Sequence, residues 1–368
     1  MRIAALVYLA PRKLGSLEQW VMEFLAECSR RGHQVHLFCD TPIHPVVEQR
    51  LVELGVKTTR FQELERNPRR WGRVLSRSFD LIYMNLVVPR SRGAYAAYLA
   101  WPRPVLLFDG ISGPMPGQGL RSWIGRILDP LILTRITALA GCSEYVLRRD
   151  RRRFHLSADQ CTVIYNGIDT ERFVPPDSPY PEIPVIITVA RLIPEKGVDL
   201  LIEACLQLQH LPWTLKIVGD GVEDGRLKAL VQEVGLGHRT EFLGLRHDVE
   251  AVLRTSEIYV HPCLWEEAFG LTIAEAMASG CATIASRVGG IPEIIEDGKS
   301  GILVERGDLP ALTRALRDLL RDPSRRRRLG QEARKRAVER FGLTDAVNLQ
   351  VDWIEHWGAR RKGEPRAG

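Results

Sequence analysis

The sequence predicts an α/β protein made of two Rossmann-like, doubly wound parallel-sheet domains facing across a cleft, and three observations carry that expectation. The chain has 368 residues, more than the roughly 250 to 300 at which a single hydrophobic core stops growing. Short β-branched runs alternate with helix-length amphipathic segments in both halves, the pattern of strands buried between helix layers. Between the halves lies FVPPDSPYPEIP, Phe173 to Pro184, with five prolines in twelve residues, which neither a helix nor a central strand accommodates.

In the first half, strands are expected near Ile3 to Leu9, Val35 to Cys39, Leu81 to Asn85, Val105 to Phe108, Ile136 to Ala140 and Thr162 to Tyr165. In the second they are expected near Val185 to Ala190, Leu215 to Val218, Glu241 to Leu243, Ile258 to His261, Ala282 to Ala285 and Gly301 to Val304. The proline-rich stretch is read as the linker, giving an amino-terminal domain over 1–172 and a carboxy-terminal domain over 173–342. Ala346, Leu349, Trp353 and Trp357 recur at helical spacing, so residues 343–368 are expected to contain a helix, a candidate to pack back on the amino-terminal domain.

Composition narrows the function. The chain is 45% hydrophobic and 26% charged, an ordinary globular balance without low-complexity tracts. Its longest apolar runs fall well short of the ~20 residues that span a bilayer, and no signal-peptide pattern opens it, so a cytoplasmic location is expected. The seven cysteines include no CxxC pair and read as reduced, buried small hydrophobes rather than metal ligands. Residues 1 to 172 hold 25 basic and 16 acidic side chains, +9, while residues 173 to 368 hold 26 and 29, −3. The basic half is therefore expected to face something anionic, such as a membrane surface, a lipid-linked phosphate or nucleic acid.

The segment EEAFGLTIAEAMASG, residues 266 to 280, concentrates acid at the mouth of an expected helix. The strand IYVHPC runs into a loop, and the spacing of Leu271, Ala274, Met277 and Ala278 starts a helix near Gly270. A helix amino terminus presents unpaired amides and partial positive charge, which suits a phosphate. Helical side chains lean back toward that terminus, so Glu275 can share the mouth with Glu267, and two carboxylates can accept from the hydroxyls of a sugar or ribose. The alternative is that both glutamates serve only the helix dipole.

A second constellation, VARLIPEKG, residues 189 to 197, places Arg191 and Lys196 at the carboxyl end of a strand, where open α/β sheets bind ligands. Two fixed cations there can neutralise a pyrophosphate without a metal, for which no ligand cluster is evident; the alternative is a solvated loop. VGDG, Val218 to Gly221, and RVGGIPEII, Arg287 to Ile295, are strand-to-helix turns that either approach a ligand or simply turn tightly. Gly15 and Ser16 occupy another such turn, and the absence of GxGxxG there argues against a dinucleotide enzyme.

Taken in order, ARLIPEKG, VGDG, EEAFGLTIAEAMASG, GGIPEIIEDGKSGILV and VIYNGID (Val163 to Asp169) resemble glycosyltransferase family 4, whose members have the two-domain GT-B fold. The similarity spans nearly the whole chain and is most specific between Val189 and Val304. It implies retaining transfer of a sugar from a nucleotide-diphosphate donor to a hydroxyl acceptor, with no metal and no cofactor. It further implies that Arg191 and Lys196 hold the pyrophosphate, that Glu267 holds the sugar and Glu275 the ribose, and that backbone amides around Ala268, Phe269, Gly270 and Leu271 meet the sugar and the β-phosphate. On this resemblance Arg191, Lys196 and Glu267 are the expected catalytic residues.

Two departures from the family pattern stand out. Gly15-Ser16 replaces a Gly-Gly pair, and Phe108-Asp109 stands where a histidine usually contacts the sugar, making Asp109 a candidate hydroxyl acceptor. The expected partners are a nucleotide sugar and a glycan or glycolipid acceptor, as in polysaccharide, glycolipid or lipid-linked glycan synthesis. An anionic membrane surface is a further candidate, through RNPRRWGR (Arg66 to Arg73) and RRDRRRFH (Arg148 to His155), where arginines sit beside Trp71 and Phe154. SRRRRLG, Ser324 to Gly330, reads as a solvated face. The competing functions are a nucleotide-sugar 2-epimerase and a non-catalytic nucleotide-binding module.

Overall fold

A computed structural model of the chain describes residues 1–8, 14–40, 43–89, 91–112, 134–177 and 180–360. It contains two compact units: residues up to Tyr165 together with the segment from Leu343 onward, and Asn166–Gly342. The first unit holds a seven-stranded sheet of β1 (Arg2–Val7), β2 (Gln34–Cys39), β3 (Lys57–Arg60), β4 (Leu81–Asn85), β5 (Val105–Asp109), β6 (Ala138–Gly141) and β7 (Cys161–Val163), ordered β3-β2-β1-β4-β5-β6-β7. The second holds β8 (Val185–Val189), β9 (Thr214–Val218), β10 (Thr240–Gly244), β11 (Ile258–His261), β12 (Ala282–Ser286) and β13 (Ile302–Val304), ordered β10-β9-β8-β11-β12-β13.

Every strand pair is parallel, as expected for strands that read as continuous β-branched runs covered by helices on both faces. The central strands show it in their burial: all five residues of β8 and of β12 are buried. The order reverses between β1 and β4 in one sheet and between β8 and β11 in the other. These are the points beyond whose carboxyl ends open α/β sheets place their ligands.

One strand has no counterpart in the sequence reading. β3, KTTR, pairs with β2 through the backbone at the sheet edge, with His36 opposite Lys57, and is mostly exposed. An edge strand with one free side needs no apolar run, so hydrophobic patterning carries no signal for it.

The chain passes between units at Tyr165/Asn166, ahead of the prolines. Residues 166–173 belong to the second unit because Ile168 bridges Gly342 and the Arg334 guanidinium donates to the carbonyls of Thr170, Phe173 and Ala278 at 3.0, 2.6 and 2.9 Å. The closing helix, Leu343–Ala359, packs on the helix Ser16–Arg30 of the first unit. Arg31 bridges Asp352 and Glu355, His33 meets Glu355 at 2.7 Å, and the buried Gln350 amide donates to the Tyr83 hydroxyl at 2.7 Å.

Arg326, within the run read as solvated, is instead 6% exposed and pairs with Glu257 at 3.1 Å just before β11. The helix Pro323–Arg340 turns that one arginine inward while its neighbours Arg325, Arg327 and Arg328 stay outside. Six of the seven cysteines are buried. Among the described residues no helix is long and apolar enough to cross a membrane, and no group of three or more His, Cys, Asp or Glu is placed to hold a metal ion.

Candidate functional site

The second unit concentrates its chemistry at the carboxyl ends of β9, β8, β11 and β12, four neighbours in the sheet. The segments leaving these strands are locked together backbone to backbone. After β8, Leu192 N–H donates to Asp220 C=O at 2.7 Å and Glu223 N–H donates to Leu192 C=O at 2.9 Å. Gly219 sits at φ +129°, where a Cβ would lie 1.8 Å from the Ala190 carbonyl oxygen. The VGDG turn is thus glycine because two loops touch there. After β11, Leu264 N–H and the Cys263 thiol both donate to Glu195 C=O, at 2.8 and 3.3 Å, which ties that loop to the turn Pro194–Lys196.

The paired glycines of RVGG fix the acidic loop. Gly290 N–H donates to Glu267 C=O at 2.8 Å, and Gly289 N–H donates to Glu266 Oε2 at 2.7 Å. Gly289 has φ +56°, and a Cβ on it would fall 2.0 Å from the Glu267 carbonyl oxygen. The two adjacent glutamates therefore divide the work. Glu266 holds the loop, bridged also to Arg306 at 3.3 Å, while Glu267 turns toward Lys196.

Lys196 Nζ and Glu267 Oε1 are 2.6 Å apart, with side chains 13% and 11% exposed. This pair joins the loops after β8 and β11 at the point where the strand order reverses. Beneath it lies a buried polar floor that the sequence reading did not identify. Tyr259 Oη lies 2.8 Å from Thr272 Oγ1 and 3.2 Å from His261 Nδ1, and the Tyr259 and His261 rings stack at 6.2 Å. His261 Nε2, with no hydrogen-bond partner among the described residues, faces Glu267 Oε1 at 3.9 Å. Burial, reinforced by Lys196 and opposed by Glu267, pulls the His261 pKa down to about 4, so the ring is neutral at physiological pH. Burial also raises the Tyr259 pKa, with Glu275 and Glu267 adding to the rise, which places both carboxylates around this floor. The available signal for His261 was a lone histidine ending a central strand at the switch point.

The expected helix is present as Leu271–Ala278 with Gly270 at its amino end. The amides of Gly270 and Leu271 donate to no described residue, leaving two donors at the helix mouth for an acceptor from outside the chain. Ala268 and Phe269 are buried, Phe269 edge-on to Phe341 at 5.4 Å, so their side chains anchor the loop. Glu275 is 7% exposed, one turn into the helix. Arg191 lies on the same loop as Lys196 and is exposed to solvent.

Gly15, Ser16 and Asp109 lie in the first unit. Gly15 is the extended residue before the helix Ser16–Arg30, and its N–H is already donated to Glu18 Oε2 at 2.8 Å. Asp109 ends β5 and is 1% exposed; it accepts from the Ile111 amide at 2.8 Å and from Arg149 at 3.2 Å, and Arg149 also pairs with Asp150 at 2.9 Å. Burial, with Asp150 beside it, pushes the Asp109 pKa up to about 8. The aromatic residues of the two basic runs serve the core: Phe154 is buried and Trp71 packs edge-on against Phe38 at 5.6 Å. Arg69, Arg70, Arg73 and Arg77 remain exposed on the helix Pro68–Ser78.

Gly289→Ala forces a Cβ into the Glu267 backbone at a strained φ. It should lower stability by about 2 to 4 kcal/mol in denaturant titration and weaken nucleoside-diphosphate binding in calorimetry. Wild-type values for both would show that the Gly289 turn does not hold Glu267.

With this geometry in place, comparison with known proteins is informative. Residues 170–336 match the family model for glycosyl transferases group 1, and residues 17–172 match that for glycosyltransferase family 4. A GDP-mannose-dependent alpha-(1-6)-phosphatidylinositol monomannoside mannosyltransferase of Mycolicibacterium smegmatis is 32% identical over 231 residues, 57% of this chain and 60% of that protein. An MMP alpha-(1->4)-mannosyltransferase of Mycolicibacterium hassiacum is 35% identical over 247 residues, 66% of this chain and 59% of that protein. The similarity thus spans about three fifths of these relatives' length. A glycosyltransferase from Rickettsia africae superposes with TM-score 0.81 at 18% identity, over 98% of this chain and 100% of that one. Anabaena Alr3699/HepE in complex with UDP gives 0.78 at 22%, over 97% and 100%; both share the fold. Two family models that together run from residue 17 to 336, on two parallel-sheet units, place the chain in glycosyltransferase family 4, with the GT-B fold.

Proposed function

We propose that the chain is a retaining glycosyltransferase that moves a sugar from a nucleoside-diphosphate sugar to a hydroxyl of a glycan or glycolipid. The observation that carries this reading is the Lys196–Glu267 pair at the β8/β11 switch point, beside two amides at a helix mouth that have no acceptor among the described residues. Cation and amides suit a diphosphate; the carboxylates of Glu267 and Glu275 suit hydroxyls. The neighbours agree in chemistry: HepE has been solved with UDP and with UDP-glucose, and relatives are named as mannosyltransferases of a phosphatidylinositol mannoside and of lipopolysaccharide core.

The reaction follows from where charge develops. As the bond between the anomeric carbon and the diphosphate oxygen breaks, negative charge grows on the leaving diphosphate, and Lys196, Arg191 and the Gly270 and Leu271 amides stabilise it. The acceptor oxygen bonds the anomeric carbon on the face the diphosphate leaves, and its proton passes to a departing phosphate oxygen, which retains the configuration without a separate base. Glu267 orients the sugar and Glu275 the ribose. The exposed arginines of Pro68–Ser78, unneutralised by acidic residues in the same helix, are the surface on which an anionic membrane carrying a lipid-linked acceptor would dock.

Three measurements test this reading. Lys196→Ala should lower turnover about a hundredfold or more, whereas the wild type should keep its activity in EDTA; loss of activity in chelator would assign the leaving-group charge to a metal. Glu275→Ala should weaken nucleoside-diphosphate affinity about tenfold with an unchanged circular dichroism spectrum, and unaltered affinity would remove its ribose role. Vesicles containing anionic lipid should retain the protein in a salt-sensitive way, and equal retention on neutral vesicles would discard the docking surface.

A further inference from the structure

We propose that His261 is a positioning residue for Glu267, its Nε2–H taking over the Glu267 carboxylate when Lys196 engages the donor diphosphate; this rests on the reading of the site given above. Three features of the fold lead there. His261 is 3% exposed at the end of β11, and its Nε2 is a buried polar atom without a hydrogen-bond partner among the described residues. Leaving such an atom unpaired in the interior is unfavourable, so it marks a contact made in another state of the site. Nε2 faces Glu267 Oε1 at 3.9 Å, about 1 Å beyond hydrogen-bond length. That same oxygen is held by Lys196 Nζ at 2.6 Å.

The neutral imidazole carries one proton, and its surroundings select the nitrogen. Tyr259 Oη lies 3.2 Å from Nδ1, so Nδ1 can accept the phenol proton, while Thr272 Oγ1, 2.8 Å from the same oxygen, can donate to it. The proton then resides on Nε2 and points at a carboxylate, which only accepts. The charged groups that bear on the ring are Lys196, from the turn after β8, and Glu267, from the loop after β11. A diphosphate competes with Glu267 for the Lys196 ammonium. As the ammonium moves to the phosphate oxygens, a small rotation of Glu267 closes the gap to Nε2. The carboxylate then stays ionised and aimed at the sugar while the cation serves the leaving group. Lys196 and Glu267 thereby act on opposite sides of the breaking bond, although they begin as partners.

The test combines kinetics with the proton's location. His261→Phe, which keeps the ring and removes both nitrogens, should lower kcat about tenfold to a hundredfold and leave the dissociation constant for UDP or GDP within about twofold. His261→Gln, which restores an amide donor, should recover most of that loss, and His261→Phe should cost nothing further in a Glu267→Gln background. Nitrogen NMR of histidine-labelled protein should show the proton on Nε2 and a shift of that nitrogen when UDP or GDP is added. Wild-type turnover in His261→Phe, a loss of nucleotide affinity matching the loss of kcat, or a proton on Nδ1 would each overturn the proposal. If the wild type transfers no sugar from any donor, the functional reading fails instead, and the NMR tautomer still decides the role of His261. If His261→Phe does not fold, His261→Gln and the NMR measurement decide it.

Discussion

The second unit depends on a cation and a carboxylate held 2.6 Å apart where its sheet changes direction. A pair this little exposed carries a desolvation penalty that its mutual attraction only partly offsets, and losing one partner typically costs about 3 to 5 kcal/mol. Stability alone is thus a poor reason to place Lys196 against Glu267. The arrangement makes sense if each group has a second partner, the ammonium a diphosphate and the carboxylate a sugar hydroxyl. Around the pair, short backbone contacts tie the loops together: Leu264 to Glu195, Gly290 to Glu267, Leu192 to Asp220. Backbone contacts of this kind place charge to within a few tenths of an ångström, the tolerance that transition-state stabilisation needs.

The first unit solves a related problem with a different residue set. At the end of β5, Asp109 and Asp150 share one guanidinium, Arg149, in nearly complete burial. Two carboxyls around one cation favour a retained proton, in keeping with the raised Asp109 pKa. The closing helix belongs to this unit too: the chain leaves the second unit at Gly342 and at once packs Leu343–Ala359 on the first.

Much of this was legible in the sequence because it is written in period and punctuation. Central strands such as β8 and β12 are continuous apolar runs, and Gly270 and the spacing of Leu271, Ala274 and Met277 mark the helix mouth. The helical spacing put Glu275 one turn into the helix, where the structure has it, yet it could not say that Glu266 would be spent on Gly289. What stayed hidden depends on contacts distant in sequence. Arg326 looks like its neighbours until Glu257 lies opposite it, Phe154 looks interfacial until it enters the core and Trp71 until it packs, half-buried, against Phe38, and β3 has no hydrophobic signature because it is an edge. The glycines of VGDG and RVGG read as either ligand contacts or tight turns; Gly219 and Gly289 prove to be places where one loop's backbone meets another's carbonyl oxygen. His261 was in plain view at a strand end, but only the distances to Tyr259 and Glu267 give it a task.

The central claim is that Lys196 exchanges Glu267 for a diphosphate. Diffraction from a crystal soaked with a nucleoside diphosphate measures this directly. The account predicts a phosphate oxygen within hydrogen-bond distance of Lys196 Nζ and of the Gly270 or Leu271 amide, with the separation of Lys196 Nζ from Glu267 Oε1 clearly longer than 2.6 Å. A nucleotide bound elsewhere, with that separation unchanged, would contradict it.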